Sequence, residues 1–241
     1  MIERPPILIT GIPRSGASMI TGVINRCGAF GGIMSGYKGV NENDAVREIL
    51  EKPYLVSIWA DEMGQYPLPE KKRIKIPVIW KESVDEIFIR EGYKGGEWFY
   101  KSSRASLIWE VWNNAYPTAK WVIVRRRTGD IIESCKKTGY MKAFKDEDKQ
   151  KAVKAKTEEE GWLWWVHEYE KRFVGMITEG LDCKVIYPER LVHGDYSQLY
   201  ELIDWLRLKW TPKIFDYIDP LLETSRKKER EVMNGSVSNI Q

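Results

Sequence analysis

Residues Ile9 to Ile20 read ITGIPRSGASMI, a glycine-bearing stretch that follows directly on a short apolar run. Gly11 and Gly16 have the spacing of the phosphate loop G-x-x-x-x-G-K-[ST], and Ser18 fits its last position, but Ala17 stands where the lysine belongs. A turn of this kind at the start of a helix aims several backbone N–H groups and the positive end of the helix dipole at one point, which suits an anion. Hydrolysis of a nucleoside triphosphate would also need the lysine on the terminal phosphates and a magnesium-binding aspartate at the end of another apolar strand. Here the apolar run Trp121 to Val124 ends instead in Arg125-Arg126-Arg127. Arg14 inside the loop, and Arg126 with Ser134 eight positions on, offer planar cations and a hydroxyl that neutralise an anion without a metal. The expectation is one ligand with two anionic groups, one at the glycine loop and one at Arg126 and Ser134. An ordinary strand-to-helix turn and a surface arginine cluster are the bland alternatives.

Such residues need a frame that brings strand ends together. Pro6 to Thr10 is nearly continuous apolar chain, and Met19, Ile20, Val23, Ile24 and Cys27 then recur at helical spacing. The same alternation returns three times. Trp98-Phe99-Tyr100 precedes Leu107, Ile108, Val111 and Trp112; Trp121 to Val124 precedes Ile131, Ile132 and Cys135; Val185-Ile186-Tyr187 precedes Leu199, Leu202, Ile203 and Leu206. Apolar strands alternating with amphipathic helices predict a three-layer α/β/α fold with a central, mostly parallel sheet, P-loop-like, whose ligands bind beyond the carboxyl ends of the strands.

One domain over residues 1–223 is expected, with a polar, flexible tail from Thr224 to Gln241. The stretch Gly31 to Gly96 does not read as one regular element and is a plausible substrate-facing region. Trp59, Tyr66 and Trp80 within it are candidates for an acceptor pocket, and Lys71, Lys72, Arg73 and Lys75 form either an attractor for an anionic acceptor or a solvated basic turn. Lys142 to Glu160 reads as a solvated helix. Trp162, Trp165 and Tyr169, at helical spacing, are expected in the core.

The chain has 241 residues, 43% of them hydrophobic, and a formal net charge of only +3, enough for a sizeable core and too mild to announce nucleic acid. Its three cysteines, Cys27, Cys135 and Cys183, suggest neither a disulfide framework nor a zinc knuckle. With no signal-type apolar core and no run near the about 20 residues that span a bilayer, a soluble, cytoplasmic protein without a membrane partner is expected.

The loop Gly11-Ile12-Pro13-Arg14-Ser15-Gly16-Ala17-Ser18 resembles the G-x-P-R-S-G-[TA]-S loop of sulfotransferases that use 3′-phosphoadenylyl sulfate (PAPS), in particular their bacterial and glycan-type branches. Arg126 to Ser134 is similar to the family's R-x-P-x-D-x-x-x-S, with Thr128 replacing the proline. Lys101-Ser102-Ser103-Arg104 is similar to K-[DT]-P-R without its proline. Asn113 to Lys120 resembles the lead into the arginine strand, and Val185 to Val192 is a looser match to the v-x-Y-E-x-L segment. The resemblance covers roughly half of the chain.

It implies that Pro13, Arg14, Ser15, Gly16, Ala17 and Ser18 hold the 5′-phosphosulfate and that Arg126 and Ser134 hold the 3′-phosphate, with no metal. It further implies in-line transfer of a sulfuryl group to a hydroxyl of a carbohydrate or small-molecule acceptor, resting on positioning and on cations that stabilise the leaving phosphate. Arg14 is the first choice for that role and Lys101 the second. Gly39 to Asp44 resembles the family's G-x-x-E-N segment, which makes Glu42 the candidate general base and Asp44 the reserve; a capping acidic turn is the alternative. His167 and His193 read as structural. Two rival functions stand beside this one: a nucleotide or small-molecule kinase with an altered loop, and a donor-binding or structural protein without catalysis.

Overall fold

The computed structural model describes residues 1–34, 41–215 and 218. The expected tail from Thr224, and Gly39 and Val40, lie outside the described residues.

Four strands, β1 (Ile7–Gly11), β2 (Phe99–Lys101), β3 (Lys120–Val124) and β4 (Cys183–Ile186), form one sheet in the order β2-β1-β3-β4, and every neighbouring pair is parallel. Alternation along each strand divides the side chains between two apolar faces. Leu8, Trp98, Tyr100, Trp121 and Ile123 enter an aromatic-rich core on one side; Ile7, Ile9, Phe99, Val122 and Val124 enter an aliphatic core on the other. The three-layer α/β/α arrangement follows because both faces must be covered.

The aliphatic face is covered by α1 (Ala17–Arg26). The aromatic face receives α2 (Lys52–Ser57), α3 (Trp80–Arg90), α4 (Trp109–Ala115) and α5 (Thr128–Lys137). A short outer helix, α6 (Glu147–Ala152), buries nothing, whereas the long α7 (Glu158–Thr178) lays Trp162, Trp165, Tyr169 and Phe173 into the aromatic core. Two further helices, α8 (Pro188–Val192) and α9 (Ser197–Leu206), complete the aliphatic side. Among the described residues no helix is long and apolar enough to cross a membrane, and Cys27, Cys135 and Cys183 are free thiols.

Two stretches are more ordered than their composition suggests. The region after Gly31 contains a widened π-type turn, Val46–Glu51, running straight into α2, and then α3. Trp80, a pocket candidate from sequence, is core: its ring meets Trp112 edge-on at 5.5 Å and Tyr54 at 5.4 Å. Tyr66 packs on Phe144 and Trp164, and only Trp59 stands well out, 76% exposed. The charged stretch Lys142 to Glu160 is not one solvated helix. Phe144 is fully buried, α6 stops at Ala152, Lys154 adopts a left-handed φ of 60°, and the Thr157 side chain caps α7 by accepting from the Glu160 N–H. A single apolar anchor and a cap thus outweigh the charge pattern.

Gly161, in the first turn of α7, lets that anchor in: a Cβ there would lie 2.5 Å from the ring of Phe144. Gly161→Ala should therefore destabilise the fold by about 1–3 kcal/mol in urea unfolding, despite a helix-propensity gain of about 1 kcal/mol. Phe144→Leu in the same chain should recover part of the loss, and a net gain from Gly161→Ala alone would contradict this packing.

Candidate active site

The glycine loop sits where the carboxyl ends of β1 and β3 meet, Gly11 lying opposite Val124. Gly11 is required by close approach, since a Cβ would stand 2.5 Å from both Ser15 Oγ and the Val124 carbonyl oxygen. The chain then turns tightly, the Ser15 N–H donating to the Ile12 carbonyl at 2.9 Å, and Gly16, at φ 91°, precedes the first turn of α1. Ser15 is buried, and its hydroxyl has no hydrogen-bond partner among the described residues. Ala17 is buried on α1, so this position contributes backbone and packing rather than charge.

Arg14 carries a φ of 76°, a left-handed backbone that costs a non-glycine residue about 1–3 kcal/mol. Two contacts hold it there. Arg126 Nη1 donates to the Arg14 carbonyl at 3.2 Å, and Arg14 Nε donates to Ser134 Oγ at 2.9 Å. The three arginines after β3 take different roles: Arg125 pairs with Glu170 at 2.8 Å, Arg127 with Asp130 at 3.2 Å, and Arg126, 3.7 Å from the same Asp130 oxygen, reaches back to the loop. Ser134, in the second turn of α5, faces the same point. The residues expected to form the two anion sites are contiguous, and Arg14 contacts both Arg126 and Ser134.

A second cluster lies at the end of β2, the strand on the other side of β1. Lys101 Nζ donates to Glu42 Oε1 at 2.9 Å, and Arg104 Nη2 donates to Glu42 Oε2 at 2.7 Å. Arg104 Nε also pairs with Glu51 at 3.0 Å, and Ser102 Oγ donates to the same Glu51 oxygen at 2.6 Å. All five residues are buried. Burial pushes the Glu42 carboxyl up, but Lys101 and Arg104 outweigh it and bring the pKa down from 4.5 to about 2. Fully buried Glu51 is shifted the other way: desolvation dominates, and Glu42 adds repulsion. Arg104 stays charged because Glu42 and Glu51 more than offset the burial that opposes its charge.

The turn before Val46 is capped by Asn43, whose Oδ1 accepts from the Val46 N–H at 2.9 Å, and not by Glu42, which turns inward. Asn41 Nδ2 donates to the Ser18 carbonyl at 3.0 Å and so ties the Glu42 segment to the first turn of α1. Asp44 pairs with Arg47 towards the surface. His167 is exposed on α7, and His193 is exposed just after α8. Among the described residues no group of three or more His, Cys, Asp or Glu side chains is arranged to hold a metal ion.

Arg104 and Glu51 were not singled out from sequence. Arg104 stood in the K-x-x-R resemblance. Glu51 had no such signal, because the helical period from Val46 would turn Ile49 or Leu50 inward. The widened turn buries Val46 and Glu51, five residues apart, and leaves Ile49 exposed.

No protein-family model matches the chain, and no curated protein matches it. Among solved structures it is similar to the sulfotransferase domain from the curacin biosynthetic pathway, with 15% identity and a TM-score of 0.55 over 90% of this chain and 78% of that one. A second similar structure is sulfotransferase STF9 from Mycobacterium avium, with 12% identity and a TM-score of 0.49 over 89% of this chain and 67% of that one. The first likeness shows a shared fold.

The ion cluster predicts an acid response. With a folded pKa of about 2 against an ordinary 4.5, Glu42 contributes stability that is complete above pH 4.5 and is lost as the pH falls towards 2. Glu51, raised, contributes in the opposite sense, losing its stabilising share as the pH rises through its own pKa. Glu42→Gln, which removes the negative charge facing buried Lys101 and Arg104, should lower stability at neutral pH by about 3 kcal/mol and flatten the loss between pH 4.5 and 2. Urea midpoints across a pH series check both; an unchanged acid slope would remove Glu42 from this role.

Proposed function

We propose that the chain is a PAPS-dependent sulfotransferase, moving a sulfuryl group to a hydroxyl of a carbohydrate or small-molecule acceptor. The observation that carries this reading is the contiguity of Arg14, Arg126 and Ser134 at the glycine loop, with the Lys101 and Glu42 pair at the adjoining strand end. The buried Ser15 hydroxyl, unpartnered among the described residues, and the loop amides at the head of α1 fit an anionic group.

In this reading Pro13 to Ser18 hold the 5′-phosphosulfate, and Arg126 and Ser134 hold the 3′-phosphate. Arg14 exchanges its bond to Ser134 for the donor, leaving the serine hydroxyl to the second anion. The acceptor oxygen forms a bond to sulfur as the bond from sulfur to the 5′-phosphate oxygen breaks, and Arg14 and Lys101 stabilise the charge growing on that leaving oxygen. Glu42 takes the acceptor proton late, once bonding to sulfur has made it acidic, so a carboxylate of low pKa suffices.

A second reading is favoured by the double engagement of Glu42 by Lys101 and Arg104: a protein that binds the donor nucleotide without turning it over. Calorimetric titration separates the cases. Adenosine 3′,5′-bisphosphate should bind equally well with and without magnesium and more tightly than ATP, and Arg126→Ala should weaken it about 10- to 100-fold. Preference for magnesium-ATP would instead indicate a kinase. Glu42→Gln should lower kcat about 100-fold or more with bisphosphate affinity unchanged; undiminished transfer would exclude Glu42 as the base.

A further inference from the structure

We infer that the face formed by the end of α2 and the segment Lys71 to Ile79 attaches the protein to an anionic lipid surface. This segment, KKRIKIPVI, places four cations beside protruding apolar side chains. Val78 is 92% exposed, Ile79 67% and Ile76 42%, and exposed Trp59 meets the same segment at Arg73, whose guanidinium is 5.3 Å from its ring. Val56, one turn back on α2, is exposed as well.

The two stretches are fastened together. Tyr54 Oη donates to the Lys75 carbonyl at 2.8 Å and accepts from the Lys75 N–H at 3.1 Å, and Trp80, the residue after Ile79, is buried against Tyr54 and Trp112. The apolar tip is therefore held outward by a pinned base. Scattered exposed aliphatics need no explanation, but a contiguous set with a tryptophan and a basic collar is the composition of an interfacial anchor.

Charge selects the occupant. From Glu70 to Trp80 there are four cations and one carboxylate, Glu70, which pairs with Lys72 at 2.8 Å and Arg73 at 3.4 Å. The segment therefore carries an excess of three positive charges. A second copy meeting the same face would oppose like charges. An anionic headgroup layer complements the lysines while its acyl boundary receives Trp59, Val78 and Ile79. The expectation of no membrane partner rests on the lack of a signal-type core and of a spanning run, neither of which bears on a surface anchor of this kind. The inference does not rest on the donor reading.

Sedimentation of the full chain with sucrose-loaded vesicles tests it. Vesicles of phosphatidylcholine with about 30% phosphatidylglycerol should bind the protein at least about tenfold better than phosphatidylcholine alone, and binding should weaken as salt rises to about 0.5 M. Val78→Glu with Ile79→Glu should lower the partition at least about tenfold, with circular dichroism and the thermal midpoint unchanged because both residues are exposed. Lys71→Gln, Lys72→Gln and Lys75→Gln together should remove the preference for anionic lipid. No binding to either vesicle, equal binding to both, or full binding by the Val78 and Ile79 variant would overturn the proposal. So would a dimer abolished by that variant in the absence of lipid binding, which would assign the face to contact between copies.

Discussion

The structure turns on a buried set of four charges, Glu42, Glu51, Lys101 and Arg104, closed by Ser102. None of these groups could be buried ionised alone, because each loses its hydration and regains it only through a partner. Lys101 and Arg104 come from the end of β2 and the turn after it, Glu42 and Glu51 from the excursion between α1 and β2. Satisfying the cations therefore obliges a long, compositionally irregular stretch to return to the sheet edge. Asn41 adds the second tether, to Ser18 on α1, so that the excursion and the glycine loop share one fixed boundary.

The sheet was legible because each strand is a short apolar run followed by a helical repeat, and both faces of such a sheet must be apolar. Strand positions, the parallel pairing and the strand ends carrying Arg14, Lys101 and Arg126 all follow from that pattern. The core positions of Trp162, Trp165 and Tyr169 follow from helical spacing. What escaped is what tertiary contacts decide against local pattern. Glu51 is inward because Arg104 and Ser102 await it, and Phe144 divides a charged run because Gly161 leaves it room. Trp80 escaped because nothing local distinguishes a core tryptophan from one lining a pocket.

The glycine loop shows how far residues can agree with a pattern while most of the chain does not. At 15% identity the solved sulfotransferase domain shares the fold with this chain. Gly11 and Gly16 are set by backbone demands, close approach to Val124 in one case and a left-handed φ in the other. Arg14 is strained for a different reason: its left-handed backbone points the carbonyl at Arg126 while its side chain reaches Ser134. Arg14 is thus held by two internal bonds, and a ligand that engaged its side chain would have to replace the one to Ser134.

The widened turn Val46–Glu51 sets the phase of everything on its helix. Inward positions fall at Val46, Glu51 and Leu55, at intervals of five and four residues, while Ile49 and Val56 point to solvent. One extra residue in the turn is what lets a single continuous helix deliver a carboxylate to the sheet edge and an apolar fringe to the outside. Deleting it would restore the 3.6-residue period and rotate α2 by about 100° against its start, so that neither face would keep its present neighbours. The inner ion cluster and the outer surface are therefore gears on one shaft, and neither can be re-timed without the other.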